Sequence, residues 1–214
     1  SADIVQLDTT FNGVGYATHH NAGGTAGSDY AHAGAIQSDG KILQVGQTRA
    51  ATLFYDMAIW RYNSNGTLDT SFNGTGYLSH RPAGYASAIG QTISIQADGK
   101  YVVGGTVSIA NGSADAIIWR FNPDGTLDTT FNGSGYFTHN VSPSGSEDDI
   151  LDIELQADGK IVAAGSHQIL GGTNKNDMVI WRLNSNGTLD NTFNGTGFMT
   201  HDTLPGTNNL DIAE

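Results

Sequence analysis

The sequence predicts an all-β fold of about three four-stranded antiparallel blades plus an incomplete fourth, set around a centre. Three observations predict it. The phrase DGTLDTTFNGSGYFTH at 124–139 recurs as GTLDTSFNGTGYLSH at 66–80 and GTLDNTFNGTGFMTH at 187–201, with a shortened copy, LDTTFNGVGYATH, at 7–19. Asp-Gly and Asn-Gly pairs separate short apolar runs at regular intervals. No ten-residue stretch carries a sustained helical apolar face.

The phrase is one part of a longer period. Phe11, Phe72, Phe131 and Phe193 lie 61, 59 and 62 residues apart, and Trp60, Trp119 and Trp181, each followed by Arg, lie 59 and 62 apart. A period near sixty is too long for the common helical solenoids and fits a four-stranded blade. The 214 residues therefore read as one repeat domain with approximate periods 7–67, 68–126 and 127–188 and a partial fourth at 189–214.

Each element has a local reason. In the second period the strand candidates are 76–80 (GYLSH), 88–96 (AIGQTISIQ), 101–107 (YVVGGTV) and 115–122 (DAIIWRFN). Asp98-Gly99 and Asp124-Gly125 separate them, and such pairs suggest type I′ hairpin turns with both residues at positive φ. In DAIIWRFN, Ile117, Trp119 and Phe121 alternate with Ala116, Ile118 and Arg120, so both faces are largely apolar and the strand should be covered on both. Gly46, Gly105 and Gly165 recur in the strand after Asp-Gly-Lys, where small residues suit sheets converging on an axis or a glycine bulge.

The ordered set LDTTFNGSGY, IQADGK and DxxIWRxNxDG resembles the delta-60 repeat, and the likeness covers nearly the whole chain. It implies a β-propeller-like arrangement in a bacterial protein, often a large surface-associated one. It brings no catalytic residues with it. Propellers close with about 4–8 blades, so three full periods leave three expectations open: a segment of a longer array, copies that associate to finish the ring, or three blades closing on themselves.

Composition narrows the function. Nine basic against 21 acidic residues give a formal charge of −12, which lacks a nucleic-acid footprint and repels anionic membranes. No apolar run reaches the length of a membrane span. Cysteine is absent, which removes thiol nucleophiles and zinc–thiolate sites and fits a bacterial extracellular or envelope protein. No cofactor is expected.

The repeated polar residues have two readings each. His19, His80, His139 and His201 each follow the phrase Phe by eight residues; they could converge on a metal, or each could bond a neighbouring loop at a strand end. Asp8, Asp69, Asp128 and Asp190 could supply carboxylates to Ca²⁺, but one Asp per blade falls short of its ~6–8 oxygen ligands, and Asx-type turns suit them better. Asp69, Asp128 and Asp190 could also pair bidentately with Arg61, Arg120 and Arg182 as blade-to-blade joints, alongside Trp60, Trp119, Trp181, Phe72, Phe131 and Phe193. Glu147, Asp148, Asp149 and Asp152 form the acidic cluster, read as a solvated loop or a cation site. The loops at 20–34, 48–56, 81–90, 140–149 and 166–176 vary between copies, and such loops carry specificity. Tyr30, Phe54, Tyr55 and Tyr85 are their candidate contact aromatics.

The leading expectation is a non-enzymatic cell-surface binding or adhesion module for a protein or glycan, as a homo-oligomer if the chain is not part of a longer array. The alternatives are a polysaccharide-acting propeller enzyme and a purely structural spacer in a larger surface protein.

Overall fold

The computed structural model describes residues 6–20, 22, 27–49, 54–110, 112–142, 146–169 and 176–201. Twelve strands and no helix occur among them: β1 Asp29–Ile36, β2 Ile42–Arg49, β3 Tyr55–Tyr62, β4 Tyr77–His80, β5 Ser87–Ile95, β6 Tyr101–Ser108, β7 Ala114–Phe121, β8 Tyr136–His139, β9 Ser146–Leu155, β10 Ile161–Ile169, β11 Asn176–Leu183 and β12 Phe198–His201. They form three four-stranded antiparallel blades, β1–β4, β5–β8 and β9–β12, with neighbours in chain order. The second and third meet through one parallel bridge, Ala114 at the start of β7 to Glu147 of β9.

Sheet and sequence period are out of phase by one strand. The short strand that closes each repeated phrase pairs with the tryptophan strand before it: β4 with β3, β8 with β7 and β12 with β11. Residues 210–214 (LDIAE), which echo a first blade strand, lie outside the described residues.

Alternation along the tryptophan strand produces the stacking. Ile117, Trp119 and Phe121 enter one buried cluster with Leu43, Val45, Met57, Ile59 and Phe72 of the first blade. Ala116 and Ile118, on the opposite face, enter a second with Val179, Trp181 and Leu183 of the third. The middle blade is thus covered on both faces, as its doubly apolar pattern requires. All three tryptophans are buried, at 3%, 0% and 0% exposure.

The expectation about turns is corrected, and the choice left open for the glycines is decided. After β1, Gln37 and Lys41 pair across the loop, Gly40 N–H donates to Gln37 O at 2.9 Å, and Gly40 alone in that turn has positive φ, at 81°. The Asp-Gly turns, and the Asx-Gly turns after β3, β7 and β11, are therefore three-residue loops ending in a left-handed glycine rather than type I′ pairs. In them Asp39 and Asn65 keep ordinary φ, and each Oδ1 accepts the N–H two residues on.

Gly46, Gly105 and Gly165 answer to a bulge. The first strand of each blade carries an extra residue opposite the glycine, with register shifts at 31/33 and 90/92 and one where Ala164 and Gly165 pair across 151. A Cβ on these glycines would fall on the carbonyl oxygens of Tyr30, Ile89 and Asp149 respectively. The bulged backbone fills the side-chain space.

Candidate functional site

The repeated phrase is a joint. Phe72 is fully buried, and its ring lies under Gly125 of the next blade, where a Cβ would sit only 2.9 Å away. The following Asn73 is left-handed (φ 50°), and its N–H donates to Asp124 O of that same turn at 2.9 Å. Asn fits this φ because its Nδ2 closes the local loop on Tyr77 O at 3.0 Å. The next joint repeats the design: Phe131 lies against Gly187 and Asn132 N–H donates to Asn186 O at 2.7 Å. The shortened phrase docks likewise, Phe11 on Gly66 and Asn12 N–H on Asn65 O at 2.7 Å.

The repeated Arg and Asp complete the joint, but not bidentately. Arg61 Nε donates to Asp69 Oδ2 at 2.8 Å within its own blade, while Nη1 crosses to Pro123 O at 2.7 Å. Arg120 repeats this with Asp128 at 2.7 Å and Ser185 O at 2.6 Å. Each guanidinium also covers the phrase Phe, 4.7 Å from Phe72 and 4.6 Å from Phe131. The carboxylates make the expected Asx turns: Asp69 Oδ1 accepts from Ser71 N–H and Oγ–H. Burial pushes the Asp69 and Asp128 carboxyls up, but bonds from Ser71 and Lys41, or Lys100 and Thr130, and the arginine charges outweigh it and hold both well below the usual range.

Lys41 and Lys100 are members of this site that sequence reasoning missed, at 3.0 and 2.8 Å from Asp69 and Asp128. Their signal was present: Lys41 and Lys100, each closing an Asp-Gly-Lys, stand 28 residues before Asp69 and Asp128, and Lys160 stands 30 before Asp190. The third copy is half made. Arg182 pairs with Asp190 at 2.8 Å and covers Phe193, but its side chain is 23% exposed against 8% for Arg61. Among the described residues no carbonyl meets its Nη1.

The histidines lie in separate joints. His19, His80 and His139 each accept, on Nδ1, the indole N–H of the next tryptophan: Trp60 at 3.2 Å, Trp119 at 3.1 Å and Trp181 at 3.2 Å. His201 ends β12 and is exposed. The described residues hold no group of three His, Asp or Glu side chains suited to a metal. The bonds require neutral imidazoles. Burial pushes His80 and His139 down, against the opposing charges of Asp56, and of Asp148 and Asp115. Unfolded histidine, with a pKa of about 6.5, binds protons that the folded state refuses, so stability is full above that value and falls as pH drops through the depressed folded values. One lost buried hydrogen bond costs about 1 kcal/mol, or about 2–4 °C in Tm per joint. Melting curves at pH 7.5 and 5 should show this fall, and His80→Gln with His139→Gln should flatten it.

The acidic cluster lies on strand β9, not in a loop, and its carboxylates disperse. Asp148 is fully buried with Oδ1 2.5 Å from His167 Nδ1, Asp149 accepts from Thr106 Oγ–H of the second blade, and Asp152 faces Thr92 at 3.4 Å. His167 itself carried no repeat signal. By register, Asp148–His167 matches Asp29–Thr48 in the first blade and Ala88–Val107 in the second.

Of the expected contact aromatics, Tyr30 and Tyr55 lie on strands β1 and β3, and their rings meet edge to face at 6.3 Å. Arg49 stands 5.9 Å over the Tyr55 ring, and Phe54 beside it is 40% exposed. Tyr85 is elsewhere: half-buried against the first core, its hydroxyl donates to Asp115 at 3.0 Å.

Tyr30 also borders a cavity of about 230 Å³ on the outward face of the first blade, together with His19, Asp29, Gln44, Trp60 and Tyr62. Asp29 is engaged on both oxygens, by Thr48 Oγ–H at 2.6 Å and Ala22 N–H at 3.1 Å. Burial, and then the Asp29 charge, raise the Tyr62 phenol.

No curated protein matches the chain. A family model described as a domain of unknown function (DUF5122) beta-propeller matches residues 37–72, 96–131 and 156–193. Each matched segment runs from the Gln before an Asp-Gly-Lys turn, through the tryptophan strand, to the Phe of the joint. These segments span just over half of the 214 residues, and the chain belongs to the DUF5122 β-propeller family.

Proposed function

We propose that this chain is a non-enzymatic binding or adhesion module of a bacterial cell surface or extracellular protein, built of delta-60-type repeats and directed at a protein or glycan. The observation that carries the reading is the group made by exposed Tyr30 and Phe54 with half-buried Tyr55 and Arg49. It stands where the copies differ, while the residues repeated in every unit are engaged in holding blades together. Aromatic faces and a guanidinium serve protein and sugar recognition alike. The half-made joint at Arg182 and Phe193 supports association with a further repeat unit, within a longer array or in a homo-oligomer such as a fibre tip.

Phe54→Ala and Tyr55→Ala should abolish capture on a glycan array or from a surface-protein panel while Tm stays within about 2 °C, since both side chains are part-exposed. Unchanged capture would remove the assignment. Light scattering on the same sample reads the oligomeric state. A monomer that captures nothing would leave the spacer reading ahead.

A further inference from the structure

We infer that the outward face of the first blade is a subsite for one neutral sugar ring, free or at the end of a glycan. This rests on the binding-module reading and gives it a ligand class.

The inference comes from comparing the same face in three blades. Register places Ala31, Gly90 and Ile150 at one position, each paired with the strand glycine of its blade. The same pairing aligns Gln44 with Val103 and Ala163, and Ala58 with Ile117 and Val179. In the second and third blades this face is packed: Val103 and Ile117 are buried in the first cluster, and Ile150, Ala163 and Val179 in the second. In the first blade the same positions hold a methyl, an amide and another methyl. Ala58 is cut back relative to both other blades and Ala31 relative to Ile150, while Gln44 is polar where they are apolar, and a cavity of about 230 Å³ remains beside Ala31 and Gln44.

The lining selects the ligand. Among the described residues no Lys or Arg borders the cavity and Asp29 does, so phosphates and carboxylates are disfavoured. Both oxygens of Asp29 already accept hydrogen bonds, which leaves little for a bare cation. Among the described residues no group hydrogen-bonds the Gln44 side chain, whose donors and acceptor match vicinal hydroxyls. The phenol of Tyr30, on a side chain 47% exposed, adds a hydroxyl and an aromatic surface. The volume lies below the ~300 Å³ at which pockets for drug-sized ligands begin, which suits a single ring.

The test titrates the chain with methyl glucoside, methyl galactoside and N-acetylglucosamine, reading the indole N–H signals by NMR. With only three tryptophans, Trp60 is readily assigned. A saturable shift of the Trp60 signal alone is expected. Gln44→Val and Ala31→Ile, which install residues the other blades already carry, should each weaken binding at least tenfold without lowering Tm. A glycan array run on the same variants separates the sources: array hits that Gln44→Val removes indicate a glycan end, and sugar binding without array hits indicates a free ring. Either result supports the subsite. The subsite is overturned if neither titration nor array shows binding that these variants weaken, or if tetramethylammonium shifts Trp60 as strongly as the sugars do. Array hits that persist in Gln44→Val but vanish in Tyr55→Ala would sink the subsite and spare the binding module. Failure of wild type in both assays and in the protein panel would sink both.

Discussion

Phe131→Ala is expected to lower unfolding stability by about 3–5 kcal/mol, the range for removing a fully buried aromatic ring. Phe131 has no exposed surface and packs between the Arg120 guanidinium and the Gly187 turn of the next blade. The cavity left behind cannot collapse readily, because the turn below is held by its own backbone bonds, Asn184 N–H to Thr188 O and Gly187 N–H to Asn184 O. Phe193→Ala makes the same chemical change at a half-buried ring with no such turn against it among the described residues. Its cost should be smaller by about 2 kcal/mol or more, because truncation costs scale with the cavity left. Urea unfolding of both variants measures the difference. Equal losses would mean that the phrase stabilises only its own loop and joins nothing.

Arg120→Ala is expected to cost about 3 kcal/mol, the low end for breaking a buried ion pair, because Lys100 remains 2.8 Å from Asp128 to share its charge. The change strands Ser185 O and uncovers one face of Phe131. Arg120→Lys should recover less than half of the loss. An ammonium is a point donor and cannot hold Asp128 Oδ2 and Ser185 O from one planar group. Full rescue by Lys would show that charge alone, and not the two-sided reach of the guanidinium, makes the joint. Chemical denaturation with matched Asp128→Asn controls tests this.

The blade architecture was legible because it rests on local signals that repeat. The second-period strand segments at 76–80, 88–96, 101–107 and 115–122 correspond to β4, β5, β6 and β7 within a residue or two at each end. Covering on both faces of the tryptophan strand followed from Ile117 and Ile118 standing side by side, since neighbours in a strand face opposite ways. The joint was legible in part: the buried Phe, Trp, Arg and Asp were singled out, but the partners they would meet across the blade gap were not.

Other features were not legible, each for a physical reason. The turn type depends on which residue takes positive φ, and Asp-Gly letters suit both a type I′ pair and a three-residue loop with one left-handed glycine. The bulge opposite Gly46, Gly105 and Gly165 belongs to a neighbouring strand, so the glycine signals that something is close without naming it. The acidic run on β9 reads as one cluster along the chain, but the strand divides it among partners on different elements.

By itself the sequence determined an all-β chain of repeated short strands, with the tryptophan strand buried on both faces and a recurrent phrase rich in turn-forming residues. These follow from alternation and backbone propensity, which act between residues close along the chain. The tertiary structure alone decided that each phrase strand closes the preceding blade, and that each His serves the next tryptophan. It alone left an open, polar face on the first blade. Blade closure depends on strand pairs about twenty positions apart, such as Met57 with His80, and the joints on contacts about forty to sixty-five apart, such as His80 with Trp119 and Arg120 with Ser185, and no local preference encodes which surfaces meet once the sheets stack.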